Sequence, residues 1–162
     1  MPEILQLKDF FITRLHVDWH EPTGGARHIP HFDSGVSFDY DVLRKKDALR
    51  SFALRLRVRL EPKPAKSKAG YEIDSEIMGL FDFPESMEEQ QMQALVRING
   101  GTILYGILRG QIAAFTGSFP GGKLSLPAVY MQDIVAGVEK RKQAQQKKKR
   151  PVSREKAKPK SK

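Results

Sequence analysis

Four segments of the chain alternate between apolar and polar residues, which is the pattern of β-strands that bury one face. They cover residues 8–19, 36–42, 52–60 and 71–83. In the first segment one face is predicted to carry Phe11, Thr13, Leu15, Val17 and Trp19. Because the four segments follow one another along the chain, we expect them to form a four-stranded antiparallel sheet.

The third and fourth strands are predicted to form a hairpin, since the segment between them contains Pro, Gly and Lys. A register in which paired residue numbers add up to 131 predicts the pairs Arg55–Glu76, Arg57–Asp74 and Arg59–Glu72. The same register sets Leu54 opposite Ile77 and Val58 opposite Ile73. On the other side, the arginines are expected to meet Asp39 and Asp41. We interpret this row as a self-neutralised outer face rather than a phosphate-binding stripe.

A helical period replaces the alternation in the second half of the chain. The apolar residues that recur with this period are Ile103, Leu104, Ile107, Leu108, Ile112 and Phe115. Gly106 and Gly110 weaken this helix by about 1 kcal/mol each, and Gly117 is expected to end it in a left-handed conformation. An earlier helix is predicted to start at Ser86 as N-cap, with Glu88 and Glu89 in its first turn. Strands followed by helices give an α+β fold class.

The segment 117–130, which we call the connector, follows the predicted helix. It is irregular because it contains Pro120, Gly121, Gly122 and Pro127, yet it is also apolar. Loops usually carry polar side chains, because their backbone stays in contact with water. The connector therefore either packs over the helix or presents an apolar groove to another molecule.

The charge of the chain is unevenly distributed. The 162 residues carry a net charge of +9, but residues 1–138 contain 16 basic and 17 acidic side chains. The excess lies in residues 139–162, where 12 Lys and Arg face two Glu and apolar residues are rare. We therefore expect one domain over residues 1–138, followed by a basic tail over residues 139–162 that is disordered after its first turns.

The sequence offers little catalytic chemistry. It has no Cys, which excludes disulfides, a thiolate nucleophile and a Cys-bound metal. His20, His28, His31 and Asp33 share one segment, but their spacing matches no standard metal-binding motif, and we expect ordinary surface histidines and no metal. We predict no catalytic residues, no cofactor and no enzymatic activity. The absence of a signal-like N-terminus and of a long apolar run favours a cytoplasmic protein.

Three parts of the sequence resemble the SecB family of bacterial export chaperones. The run LYGILRGQI, followed by GSFPGGKLSLPAVY, is similar to the helix and connector of that family, although Gly106 and Gly110 stand where the family has Pro and Glu. SEIMGLFDFPE is similar to the end of the SecB sheet, and Glu21-Pro22 resembles a shortened form of the loop after its first strand. The resemblance covers about residues 10–137 and implies a SecB-like fold.

The resemblance also implies a function. It predicts a molecular chaperone, a holdase that binds unfolded or precursor polypeptides for protein export and assembles as a dimer of dimers. The client-binding residues it implies are Phe119, Leu124, Leu126 and Tyr130, and it implies docking on the SecA motor through Glu21 and Glu76. An alternative is a SecB-like chaperone of a toxin–antitoxin system, whose client is an antitoxin. A further alternative is a protein that binds nucleic acid or anionic lipid through its basic tail.

Overall fold

The computed structural model describes residues 4–21, 35–44, 47–62 and 69–149. Its strands are β1 (Gln6–His20), β2 (Gly35–Arg44), β3 (Ser51–Glu61) and β4 (Gly70–Asp82). Its helices are α1 (Glu89–Leu95), α2 (Gly101–Thr116) and α3 (Met131–Lys149), and a π-helical turn (Val96–Gly100) joins α1 to α2. The predicted α+β plan of a four-stranded antiparallel sheet followed by helices is confirmed.

The strand order in the sheet is β1-β4-β3-β2, so β1 and β2 are the edge strands. Every pairing is antiparallel. One face of the sheet packs against the helices, and its core residues alternate with outward-facing residues as the sequence predicted for β2, β3 and β4. The most deeply buried side chains of the core include Leu54, Leu56, Leu60, Ile73, Ile77, Phe81, Leu104, Leu108 and Ile112.

The predicted register between β3 and β4 is wrong by two residues. Arg57 lies opposite Glu76 and Arg59 opposite Asp74, while Leu54 lies opposite Gly79 and Val58 opposite Ser75. A shift of two residues keeps every side chain on its predicted face, which is why the alternation alone cannot detect it. Between β2 and β3, Asp39 lies opposite Arg57 and Asp41 opposite Arg55, so the predicted position of these two carboxylates beside the arginine row is confirmed.

Strand β1 does not keep one alternation along its length. Its pairing with β4 shifts between Leu7 and Asp9 and again between Ile12 and Arg14, as in β-bulges. Ile12 therefore lies on the core side together with Leu15, Val17 and Trp19. Phe11 lies opposite Met78 and is exposed, and Thr13 bonds to Glu76 on the outer face, so the predicted common face of this strand is wrong for its first half.

Glycines let the helical layer approach the sheet closely. A Cβ atom on Gly79 would lie 2.6 Å from Leu104 Cδ2, and one on Gly100 would lie 3.2 Å from the Phe81 ring. A Cβ atom on Gly101 would lie 3.1 Å from Met131 Cγ. Gly100 therefore packs against the sheet and Gly101 against the start of α3.

The predicted start of α1 and the predicted conformation at the end of α2 both differ from the structure. The N-cap of α1 is Glu88 rather than Ser86, and no side chain caps it. Gly117 does follow α2, but with φ −57° it continues in the right-handed conformation. The left-handed glycine of this region is Gly122, with φ +73°, which turns the chain within the connector.

Helix α3 crosses the boundary that the sequence predicted at residue 139 and ends at Lys149. Val135 and Val138 are buried, and Arg141 and Lys142 bind carbonyl groups of β2. The basic segment is therefore helical and in contact with the sheet in its first part. Residues 150–162 of the predicted tail lie outside the described residues. No helix in the described part of the chain is long and apolar enough to cross a bilayer.

Candidate functional site

The connector returns along α2 from the C-terminal end of that helix to its N-terminal end. The backbone N–H of Leu124 donates to Thr116 Oγ1 at 2.9 Å, near the C-terminal end of α2. Nearer the N-terminal end, the Tyr105 hydroxyl donates to the Pro127 carbonyl at 2.6 Å. Met131, at the start of α3, then packs on Gly101. The connector and α2 therefore lie side by side and form one continuous surface.

Tyr71 of β4 holds the first part of the connector to the sheet. Its hydroxyl donates to the Gly122 carbonyl at 2.5 Å, and burial raises its pKa above the usual value. Burial also raises the pKa of Tyr105 to about 12, so both phenols keep the proton that they donate at neutral pH. Hydrogen bonds from neutral side chains to backbone carbonyls thus determine the path of the connector.

Aromatic rings fill the space between the connector and the end of β1. The Trp19 and Tyr71 ring centroids lie 4.8 Å apart, and those of Phe115 and Phe119 lie 5.4 Å apart. Tyr71 links the two pairs, with its ring 6.1 Å from Phe119. Gly121 packs so closely on the Trp19 indole that a Cβ atom there would clash. This aromatic cluster packs between the connector and the sheet.

The predicted client-binding residues differ in their accessibility. Tyr130 is 84% exposed, whereas Phe119 and Leu124 are partly buried against the core. Leu126 is 0% exposed, so it belongs to the core of this chain and is not accessible at the surface. Its assignment as a client contact stays a prediction, and contact with a client would require the connector to move.

Helix α2 adds exposed apolar side chains from the apolar stripe that the sequence predicted. Ile103 is 38% exposed and Phe115 is 49% exposed. Gly106 and Gly110 are also exposed, with no heavy atom within 4 Å of the position of a Cβ. We call the surface formed by Phe115, Phe119, Leu124 and Tyr130 the α2–connector surface. The sequence could have shown this exposure, because Leu104, Leu108 and Ile112 share one side of the helix while Ile103 lies outside that row.

The predicted docking residues lie elsewhere in the structure. Glu21 is exposed at the end of β1, and Glu76 lies on the outer face of the sheet, where its Oε1 accepts a hydrogen bond from Thr13 at 2.8 Å. Glu76 lies opposite Arg57, and Arg55 remains its neighbour, as predicted, although in a diagonal position. Arg55 donates to Asp41 at 2.8 Å, and this bond raises the pKa of Arg55, with a smaller contribution from Glu76.

Asp74 is the main acceptor on the outer face. Arg57 donates to both of its carboxylate oxygens, at 2.8 and 2.5 Å, and Arg14 donates at 3.1 Å. Arg59 lies 3.5 Å away. The hydrogen bond from Arg57 and that from Arg14 hold the pKa of Asp74 far below its usual value, against the opposing effect of burial. The predicted contact between Arg57 and Asp74 therefore exists, although as a diagonal pair.

Only His20 of the four residues in the predicted histidine segment lies within the described residues. His20 lies 3.4 Å from Glu72, while His28, His31 and Asp33 fall outside the described residues. No group of three or more potential ligands among the residues in the four described ranges could hold a metal ion.

A sheet with this order, covered on one face by α2, the connector and α3, defines a SecB-like fold. Among solved structures, the chain is similar to a SecB-like chaperone of Mycobacterium tuberculosis, which was solved in complex with a peptide from an antitoxin. That similarity has a TM-score of 0.58 and 19% identity, and it covers 78% of this chain and 88% of the chaperone.

A second similarity, to a protein of unknown function from Streptococcus agalactiae, has a TM-score of 0.42 at 9% identity. It covers 76% of this chain and 97% of that protein. No protein-family profile matches the chain, and no curated protein matches it by sequence. The expected SecB-like fold is thus confirmed through three-dimensional structure.

Proposed function

We propose that this protein is a chaperone that holds unfolded polypeptide on the α2–connector surface. The observation that carries the proposal is the exposure of Phe115 and Tyr130, with the partly buried Phe119 and Leu124 between them along the chain. Contiguous apolar area binds other apolar chains through the hydrophobic effect, without reading their sequence. Aromatic rings add contact area with few rotatable bonds.

The connector suits this role because side chains, rather than a regular ladder of backbone bonds, attach it to the domain. Thr116, Tyr105 and Tyr71 each bind one backbone group of the segment. Segments held by few contacts open at lower free energy than the core. A client could therefore displace part of the connector without unfolding the sheet.

The fold comparison supports one class of client for this proposal. The similar chaperone was solved with a peptide from an antitoxin, which favours an antitoxin segment over a precursor for export as the client of this chain. Both clients would be extended, apolar polypeptides. Binding of an antitoxin-derived peptide and of an unfolded precursor, measured on the same protein preparation, would distinguish them by affinity.

We also propose self-association through α2, as the family resemblance implies. The exposed Gly106 and Gly110 allow another helix to approach closely. Light scattering on a sizing column tests this, since a monodisperse monomer at micromolar concentration would contradict it. Docking on a translocation motor through Glu21 remains a hypothesis, and a Glu21→Lys variant that still binds the motor would refute it.

The chaperone function is tested by holding an unfolded reporter protein in solution after dilution from urea. Phe115→Ser removes a half-exposed ring from the α2–connector surface, and we expect a clear loss of aggregation suppression with a stability loss of about 1–2 kcal/mol, because the ring also stacks on Phe119. Leu49→Ser is a matched control, because Leu49 is 64% exposed but lies in the turn between β2 and β3. Equal activity of the two variants would refute the assignment of this surface.

A further inference from the structure

A cavity of about 220 Å³ lies where α3 passes the edge strand β2. Its charged lining consists of Arg57, Arg59, Arg141, Lys142 and Asp39. Lys142 pairs with Asp39 at 3.3 Å and with Asp41 at 3.1 Å, and Arg57 is bound to Asp74. Among the described residues, Arg59 and Arg141 are therefore the lining cations that have no full carboxylate partner of their own. The α2–connector surface contributes none of these residues.

The arginines of β3 bring positive charge to the cavity because their acidic partner is shared. Asp74 accepts hydrogen bonds from Arg57 and Arg14 and also pairs with Arg59. On the opposite side, Arg59 faces Ser37 of β2, which carries no charge. A single carboxylate cannot neutralise three guanidinium groups, so the part of the outer face around Arg59 remains cationic.

The cations of α3 are held in place by the edge of β2. Tyr40 N–H donates to the side chain of Asp39, so the backbone groups of Tyr40 point away from β3. Lys142 donates to the Tyr40 carbonyl and Arg141 to the Phe38 carbonyl, both on this free edge. Arg141 has five N–H donors, and only one of its nitrogens binds that carbonyl. Its remaining donors are available to the cavity.

We infer that this cavity binds a phosphoryl group, either from the backbone of a single-stranded nucleic acid or from an inorganic polyphosphate. A guanidinium fork and a nearby ammonium match the geometry and the charge of phosphate oxygens. The two incompletely neutralised guanidinium groups of Arg59 and Arg141 suit an anion with several oxygen acceptors better than a single carboxylate. Arg141 and Lys142 come from a helix that also carries exposed Lys140 and Lys147, so neighbouring phosphates can be met along it.

The test is binding of a fluorescently labelled single-stranded oligonucleotide to the full chain, followed by anisotropy at several salt concentrations. The double variant Arg59→Gln/Arg141→Gln is expected to weaken binding about tenfold and to reduce the salt slope by about 1.4, because two cations that neutralise phosphates are removed. The matched control Arg109→Gln/Lys123→Gln removes two exposed positive charges from α2 and the connector. We expect it to change the affinity less than about twofold.

Equal losses in the two double variants would overturn the inference, because bulk charge would then explain all binding. Displacement by inorganic tripolyphosphate that depends on Arg59 and Arg141 would identify the phosphoryl group alone as the ligand. Dependence seen only with the oligonucleotide would identify the nucleic-acid backbone as the source. Displacement by polyglutamate as effective as that by tripolyphosphate would assign the cavity to acidic polypeptides and refute the phosphoryl assignment.

A second pair of variants avoids the contact between Arg141 and β2. Gln145 lines the cavity and is exposed, so Gln145→Glu adds a negative charge there without removing a hydrogen bond found among the described residues. We expect about fivefold weaker oligonucleotide binding from this charge. Gln111→Glu makes the same change on the exposed face of α2 and is expected to have little effect. No difference between these two variants would also contradict the inference.

Discussion

Truncation of Leu126 and of Tyr130 should have opposite consequences, although both residues lie in one irregular segment only four positions apart. Leu126 is 0% exposed and packs in the core, whereas Tyr130 is 84% exposed. A buried leucine reduced to alanine loses transfer free energy and leaves a cavity, which together cost about 2–5 kcal/mol. An exposed tyrosine changes stability by less than about 0.5 kcal/mol.

These values convert into measurable shifts. For a chain of this size, 1 kcal/mol lowers the melting temperature by about 2–4 °C, so Leu126→Ala is expected to melt roughly 4–20 °C below the wild-type protein. Tyr130→Ala is expected to melt within about 2 °C of it. Thermal unfolding followed by circular dichroism separates these ranges.

The same two variants are then assayed for suppression of reporter aggregation at a temperature where both are folded. Tyr130→Ala should suppress aggregation less well than the wild type, because it offers the client a smaller apolar area. Leu126→Ala should retain activity in its folded fraction, because its side chain is not at the surface. A stable but inactive Leu126→Ala variant would refute the reasoning, and so would a fully active Tyr130→Ala variant that retains native stability.

Three further predictions concern the sheet and the helix. Because Arg14, Arg57 and Arg59 all depend on Asp74, Asp74→Asn is expected to lower the free energy of unfolding by about 1–2 kcal/mol, and Arg57→Gln by less than about 1 kcal/mol. Urea titration measures both, and equal effects would contradict the sharing of Asp74. The folded pKa of Asp74 is depressed, so its stabilising contribution is complete above its usual value of 3.8 and is lost as the pH falls below it. The stability difference between wild type and Asp74→Asn should therefore shrink between pH 5 and pH 2, and a constant difference would argue against the pair. Gly79→Ala should destabilise by about 1–3 kcal/mol, since its Cβ would lie 2.6 Å from Leu104, while Gly106→Ala, with open space around it, should stabilise α2 by about 1 kcal/mol. A destabilised Gly106→Ala variant in urea titration would instead indicate a helix packed against that glycine.

The alternation of apolar residues was sufficient to predict the faces of β2, β3 and β4 and the position of α2. Each of these elements has one buried face, and burial requires the matching period whatever the surroundings are. The pairing of Asp39 and Asp41 with the arginines of β3 was also predictable, since a short hairpin offers few registers that bring opposite charges together.

The register of β3 on β4 depended on packing that lies outside these two strands. Registers that differ by two residues expose and bury the same side chains. The observed one places Gly79 beneath Leu104 and Phe81 beneath Gly100, where the helical layer comes closest to the sheet. The bulge near Thr13 likewise follows from pairing with β4, and it moves Ile12 to the core side.

In the candidate site, too, the sequence predicted one part and the tertiary structure decided the other. The sequence located the apolar connector, but a segment without a period gives no information about which side chains point inward. Tyr105 and Thr116 decide this, by binding the backbone of the connector at Pro127 and Leu124. The path defined by these bonds buries Leu126 and leaves Tyr130 at the surface, because an irregular backbone takes its direction from the partners of its own polar groups.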